Sequence, residues 1–382
     1  MFAVAGGAAV GNLYWAQPLL EEIASSLGVP ASVAGLLVTV TQVGYAVGIF
    51  LLVPLGDLLN RRRLIPAVLT ASGLALAGAA VAPSWMVLFA ALLLVGLTAV
   101  GAQLLIPLAS ELADPAERGR VVGTIASGVL IGILLSRTIS GIVADLLGWR
   151  AIYVFAAVAA WGLAILLARV IPTLPAPAPM SYPALLRSVF QAVGSHRAVP
   201  VTLVLGAATF ASFALFWTAL TFLLSAPPFS YSLSTIGLVG LAGLAGAFVA
   251  RRAGRLHDRG LSVPVTGGAL GLGVVSLVVA GLGQTSIVVL LVAIVAFDIA
   301  TQASLILNQT RLLSIDPAAR SRMNTAYVTS NFVGGAVGSA LAGLLWHTGG
   351  WSAVILGGVA ALTLALLVWA TNRRTLTTAV HT

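Results

Sequence analysis

"DPAERGR", residues 114–120, recurs as "DPAARSR" at residues 316–322, an offset of 202. Asp114, Arg118 and Arg120 fall on Asp316, Arg320 and Arg322, and the register holds beyond the loop. Gly132 maps to Gly334, Gly141 to Gly343 and Trp149 to Trp351. A second pair, Asp57 and Asp258, sits at an offset of 201. A single match of this kind is chance, whereas a set kept in register is the mark of a duplicated unit. The chain therefore reads as two homologous halves.

The surroundings of these loops decide what kind of unit is duplicated. Of 382 residues, 59% are hydrophobic and 8% are charged. A soluble domain carries about 25% charged residues, so this composition cannot cover a surface facing water. The chain is an integral membrane protein. It has no cysteine, hence no disulfide, thiolate nucleophile or thiol metal site. Every Lys/Arg position is arginine, and the first is Arg61. The opening apolar segment thus lacks the basic region of a secretory signal peptide and is expected to stay as a helix. Without lysine there is no phosphate-cradling G-x-x-x-x-G-K-[ST] loop, so ATP-driven transport by this chain alone is excluded.

A bilayer core takes roughly 20 apolar residues per helix. Spans are expected near 2–23, 32–55, 64–82, 85–110, 121–147, 151–171, 199–225, 233–253, 262–283, 285–310, 323–346 and 351–371. The predicted fold is all-α, with twelve transmembrane helices in two homologous six-helix bundles, 1–171 and 199–382. Between them, residues 172–198 form the long connection. It opens with the proline-rich "IPTLPAPAP" and continues into "SYPALLRSVFQAVGSH", a short amphipathic helix for the membrane surface.

The net charge of +9 invites a nucleic-acid partner, but the distribution of the arginines argues against one. Arg61–Arg63 follow span 2 and Arg118 and Arg120 follow span 4. Arg169, Arg187 and Arg197 flank the middle connection. Arg251, Arg252, Arg255 and Arg259 follow span 8, while Arg311, Arg320 and Arg322 follow span 10. Arg373 and Arg374 come after span 12. All but Arg137 and Arg150 lie on one side. Positive charge at span ends is retained in the cytoplasm, which predicts an inner (plasma) membrane protein with both termini cytoplasmic. The basic balance is then a topology signal.

With the spans placed, the loops resemble those of the major facilitator superfamily of transporters, over essentially the whole chain. The family's loop signature is G-x-x-x-D-R-x-G-R-R. After span 2, "VPLGDLLNRR" matches it at Asp57, Arg61 and Arg62, with Val53, Leu58 and Asn60 in place of glycine, arginine and glycine. After span 8, "GRLHDRG" matches at Gly254, Asp258 and Arg259 and lacks the trailing basic pair. The resemblance implies a cytoplasmic gate made of these six residues. In the family the loop aspartate meets a helix start in the opposite bundle, which for Asp57 implies the start of span 11, around Arg322 to Asn324. A carboxylate is favoured beside the unpaired N–H groups of a helix N-terminus. A solvated basic turn serving topology alone is the alternative.

Ionisable groups inside a membrane are costly, roughly 2.5–3.5 kcal/mol at a helix centre on insertion scales, which makes each a functional candidate. Asp298, about 13 residues into span 10, is the first. Apolar neighbours disfavour its charged form, as a proton carrier requires; the alternative is an Asp that fixes helix packing. Gln302 and Gln309 share its helical face. Arg137, in span 5, is the second. Antiporters of the family carry g-x-x-x-G-P-x-x-G-G on this helix; Gly128 and Gly132 fit, while Ile133, Ser136 and Arg137 depart from it. A guanidinium keeps its charge, so Arg137 must find a carboxylate, carbonyls, water or an anionic substrate, with anion recognition and a bridge to an acidic side chain as the two leading readings. The arginine that antiporters of the family carry in span 4 is missing, and Gln103 is that span's main polar group. Proton coupling would then fall to Asp298 or to the Glu21/Glu22 pair at the outer end of span 1.

The resemblance implies that spans 1, 4, 7 and 10 surround the substrate. Cavity candidates are Tyr14, Gln17, Gln42, Tyr45, Gln103, Arg137, Trp217, Gln302 and Asn331. Tyr14, Gln17 and Glu21 fall within about 60° of one helical face. Each polar member has an ordinary alternative as an interhelical hydrogen bond, and the aromatics as plain packing. Gly128-x-x-x-Gly132, Gly334-x-x-x-Gly338 and the glycines of span 8 are read as surfaces of close helix approach.

The expected function is secondary transport by alternating access. The resemblance points to proton-coupled efflux of a small, partly apolar compound by a monomer in the bilayer. Uptake by symport, or export of sugars or amino acids, fits the same fold. A membrane enzyme would need clustered His, Asp, Glu or Ser, and the four histidines lie near span ends without metal-ligand spacing. A non-transporting sensor is the remaining class. No cofactor or metal is expected.

Overall fold

A computed structural model of the chain describes residues 1–114, 117–172, 181–243, 256–257, 259–316 and 319–378. All regular structure among them is helical. In order, the helices are α1 (Phe2–Gly11), α2 (Leu20–Leu27), α3 (Ala31–Leu52), α4 (Arg61–Ala80), α5 (Trp85–Thr98), α6 (Gly101–Leu112) and α7 (Arg118–Leu147). They continue with α8 (Trp149–Val170), α9 (Tyr182–Gly194), α10 (Ala198–Ser225), α11 (Leu233–Val239), α12 (Ser262–Leu282), α13 (Ile287–Ile315) and α14 (Arg320–Thr378). Nine stretches of the described residues are long and apolar enough to cross a membrane, with Phe2–Gly11 and Leu233–Gly243 as shorter apolar helices.

Local chemistry sets several of the boundaries. The first expected span is broken. Pro18 lacks an N–H and its ring opposes the carbonyl four residues back, so residues 12–19 wind through tighter bonds such as Gln17 N–H to Tyr14 O and Leu19 N–H to Ala16 O. Such turns advance 120° per residue in place of 100°. Tyr14 and Gln17 are therefore buried while Glu21 and Glu22 are exposed, and Glu21 does not share their face as a regular helix would have had it. At the start of α4, Asn60 accepts the Arg62 N–H at 2.9 Å, a side-chain N-cap. In α14, Gly349 and Gly350 leave helical geometry, and Gly350 has φ of 60°. That conformation is cheap for glycine alone, and it divides α14 into two arms near the expected boundary between spans 11 and 12.

Two further differences from the expected spans concern charge. Arg311 was expected in the loop after span 10, but α13 continues to Ile315 and Arg311 is 0% exposed. Of the eighth span, expected over 233–253, the structure describes α11 and a short 3-10 turn, Gly240–Gly243; residues 244–255 lie outside the described set.

The chain separates into two compact units. One comprises Met1–Leu186 with Tyr231–Leu241, the other Arg187–Ser230 with Ala242–Thr382. Each contains a helix pair in near-backbone contact. In the first, α1 lies on α7, where a methyl group at Gly132 would collide with the Gly7 carbonyl and one at Gly128 with that of Ala3. In the second, α10 lies on α14, where methyls at Gly334 and Gly338 would collide with the carbonyls of Ala207 and Ala211. Gly132 and Gly334 are the residues matched by the repeat, so the duplicated sequence builds the same contact twice. Small residues permit this approach, and dispersion over the touching backbones holds it.

Candidate functional site

In the first unit the broken span and α7 meet around Arg137, which is 3% exposed. Its Nε donates to Gln17 Oε1 at 2.8 Å, and its Cζ lies 5.2 Å from the centre of the Tyr14 ring, within cation–π range. On the other side α11 covers the same arginine. A methyl at Gly240 would sit 3.3 Å from the Arg137 side-chain stem, and Thr138 Oγ1 donates to Gly237 O at 3.0 Å. The turn itself is tied down twice: Trp15 Nε1 donates to Asn12 Oδ1 at 2.8 Å, and Ser140 Oγ donates to Trp15 O at 2.6 Å. Three of the residues singled out from sequence, Tyr14, Gln17 and Arg137, thus form one buried cluster.

Close by in the fold, α3 and α6 bring Tyr45 and Gln103 together, with Gln103 Nε2 donating to the Tyr45 hydroxyl at 3.4 Å. Gln42, 5% exposed, has an Oε1 without a hydrogen-bond donor among the described residues. Glu21 and Glu22 stand apart from this group in the first turn of α2, where helix N-terminal N–H groups favour carboxylates.

In the second unit Asp298 is 3% exposed within α13. Trp217 Nε1, from α10, donates to its Oδ1 at 3.2 Å. Aromatic rings surround this bond: Phe216 lies 4.9 Å from Phe297 and 5.6 Å from Trp351, and Trp217 stands edge-on to Phe216 at 6.3 Å. Gln302 is partly buried one turn further on. Gln309 Nε2 instead donates to Asn324 Oδ1 of α14 at 2.7 Å. Asn331, 8% exposed, is accommodated with Tyr327 against Gly206, where a side chain would meet both. Asp298 and Trp217 are therefore partners, and Gln302 and Asn331 belong to the same unit.

The loop after α3 has its own geometry. Arg61 Nη2 lies 3.0 Å from Asp57 Oδ1, and Arg61 Nε donates to Gly56 O at 2.8 Å. Arg61 Nη1 lies 2.7 Å from Glu111 Oε2, close enough for an ion pair although off the line of a hydrogen bond. Arg61 thereby fastens the loop to the end of α6. Arg62 projects outward after its capped N–H. Arg259 is exposed, whereas Gly254 and Asp258 lie outside the described residues.

Three residues that matter here escape a sequence reading. Asp145 Oδ2 accepts the Ser234 N–H at 2.8 Å and so caps α11; nothing in the sequence near 145 points to a partner 89 residues away. Glu111 was unremarkable at a span end. Arg311 carried a signal, its place one turn inside an apolar run, that the positive-inside pattern masked.

The family profile described as Major Facilitator Superfamily matches residues 2–315. The chain belongs to this superfamily. An uncharacterized transporter of Escherichia coli O157:H7, YgaY, is 44% identical over 371 residues, covering 97% of this chain and 94% of that one. A probable transporter of Streptomyces coelicolor is 34% identical over 372 residues, covering 96% and 84%. Among solved structures, the nucleoside transporter NupG aligns with a TM-score of 0.76 at 15% identity, covering 97% of this chain and 98% of that one. The human organic anion transporter MFSD10 aligns at 0.71 and 18% identity, covering 96% and 98%. At such identities the likeness is one of fold. As a major facilitator the protein is a multi-pass membrane transporter of small molecules, and not an enzyme.

Proposed function

We propose that this major facilitator exports a small, partly apolar solute from the cytoplasm in exchange for protons, by alternating access. The observation that carries the reading is Asp298, a carboxyl buried inside a 29-residue apolar helix and held by the Trp217 indole. A carboxyl is the membrane-embedded charge that can disappear. Unlike a guanidinium, a carboxyl can take up and release a proton, so one that alternates between this enclosure and water passes one proton per cycle. The rings of Phe216, Phe297 and Trp217 beside it suit an apolar solute, and Gln302 supplies a polar contact. The first unit by itself offers a second set of candidate solute contacts, the neutral Tyr14, Gln17, Gln42, Tyr45 and Gln103 and the cationic Arg137. Six helices from each of 1–171 and 199–382 form the bundles, joined by 172–198. Both termini face the cytoplasm, the protein acts as a monomer in the inner membrane, and the loops at Asp57 and Asp258 gate the cytoplasmic side.

The test uses inside-out vesicles with an acid interior, carrying wild type or Asp298→Asn. A panel of lipophilic cations, anions and neutral compounds is added and proton release recorded. Release by wild type but not by the variant supports antiport through Asp298. Release by both transfers the role to Glu21 or Glu22. Compound movement by folded wild type without proton release overturns antiport, and proton movement in the opposite sense makes the protein a symporter.

A further inference from the structure

Among the described residues, Arg311 is the bulkiest fully buried side chain, with 0% exposure. It lies on α13 facing α10. Its Nη2 donates to Asn308 Oδ1 at 2.6 Å and approaches Thr202 Oγ1 at 3.5 Å. Both acceptors are neutral and both crowd one nitrogen. Nε and Nη1 have no acceptor among the described residues, so three of the five guanidinium N–H groups are unmet.

Charge balance is no better. On the same helix, Asp298 is 13 residues away, about 20 Å along the axis, and Asp316, the C-cap five residues on, forms no ion pair with Arg311. No ion pair among the described residues includes Arg311. A guanidinium does not release its proton in proteins, and an enclosed charge costs several kcal/mol when left unpaired. The side chains beside it extend the donor set. Asn308 Nδ2 approaches Ser304 Oγ at 3.5 Å, and Ser304 Oγ lies 3.3 Å from Thr209 Oγ1. These residues are all 0% exposed. Sequence assigned Arg311 to the cytoplasmic loop after span 10, so its enclosure is a property of the fold.

We propose that Arg311 forms, with Asn308, a binding site for a small monovalent anion of the halide or carboxylate class inside the C-terminal unit. The single uncompensated positive charge sets the valence, and full enclosure between α10, α13 and α14 sets the size. The unmet Nε and Nη1 donors supply the charge-assisted contacts. This site is separate from Asp298 and does not depend on the direction of transport or on proton coupling.

The probe is chloride, with the bulkier gluconate replacing it at constant ionic strength and constant cation, acting on the purified full chain. Thermal unfolding and equilibrium binding of radiolabelled chloride are both recorded for wild type, Arg311→Gln and Arg311→Lys. Wild type should bind chloride saturably and gain roughly 2–4 °C in Tm at saturation. Arg311→Gln should lose both responses, and acetate should compete with the label. If Arg311→Gln does not fold, Arg311→Lys decides: a point charge with a different donor layout should bind at least about tenfold more weakly, and unchanged affinity overturns the proposal. It is equally overturned if folded wild type shows no saturable chloride effect, which would mean that water meets the donors, or if Arg311→Gln responds as wild type does.

Discussion

Asp298 and Arg137 sit inside helices under opposite constraints, because a carboxyl can shed its charge and a guanidinium cannot. Asp298→Asn keeps the shape and the acceptor for Trp217 while removing the titrating proton. It should abolish proton-coupled movement and shift the thermal midpoint by no more than a few degrees; equal loss of folding would mean that Asp298 is structural. Arg137 is held by geometry, through Gln17 Oε1 and the Tyr14 ring. A double-mutant cycle with Arg137→Met and Gln17→Leu should return a coupling of about 1–3 kcal/mol in stability, and a value near zero would mean that the 2.8 Å bond is energetically idle. At this scale the sequence marked both residues by cost alone. It could not separate Arg311 from its neighbours Arg320 and Arg322, because charge near a span end looks the same whether the helix stops before it or one turn after.

Among elements, the helix pairs α1/α7 and α10/α14 show how a duplicated sequence becomes duplicated packing. Gly132→Ala and Gly334→Ala should each destabilise by roughly 1–3 kcal/mol, since backbone faces backbone and neither can retreat. Gly162→Ala and Gly271→Ala, where an added methyl meets nothing within 4 Å, should be neutral or stabilising by up to about 1 kcal/mol in thermal unfolding. If all four behave alike, close approach is not what the paired glycines provide. The small-residue spacing was legible in the sequence. The first span reads in the sequence as one regular helix; only the turns over residues 12–16 and the 3-10 helix Gln17–Leu19 show that Tyr14 and Gln17 turn inward while Glu21 turns out.

For the whole molecule, the arrangement of arginines predicts sidedness, and the lack of cysteine gives a clean background for measuring it. Exposed Gln191→Cys and Thr371→Cys should react with an impermeant maleimide only in inside-out vesicles, and exposed Ser84→Cys only in right-side-out cells. The reverse pattern would overturn the orientation. What the sequence determined by itself is the class of molecule: a helical membrane transporter of the major facilitator superfamily. Composition, the length of apolar runs and an in-register repeat are carried by single residues and fixed spacings, and they survive without any contact being known. What only the tertiary structure decided is which polar groups meet. Arg137 finds Gln17 across 120 positions and Trp217 finds Asp298 across 81, and Arg311 is enclosed by helices that begin 113 residues before it and 9 after it. Such pairings follow from how helices pack against one another, and no periodicity along the chain records them.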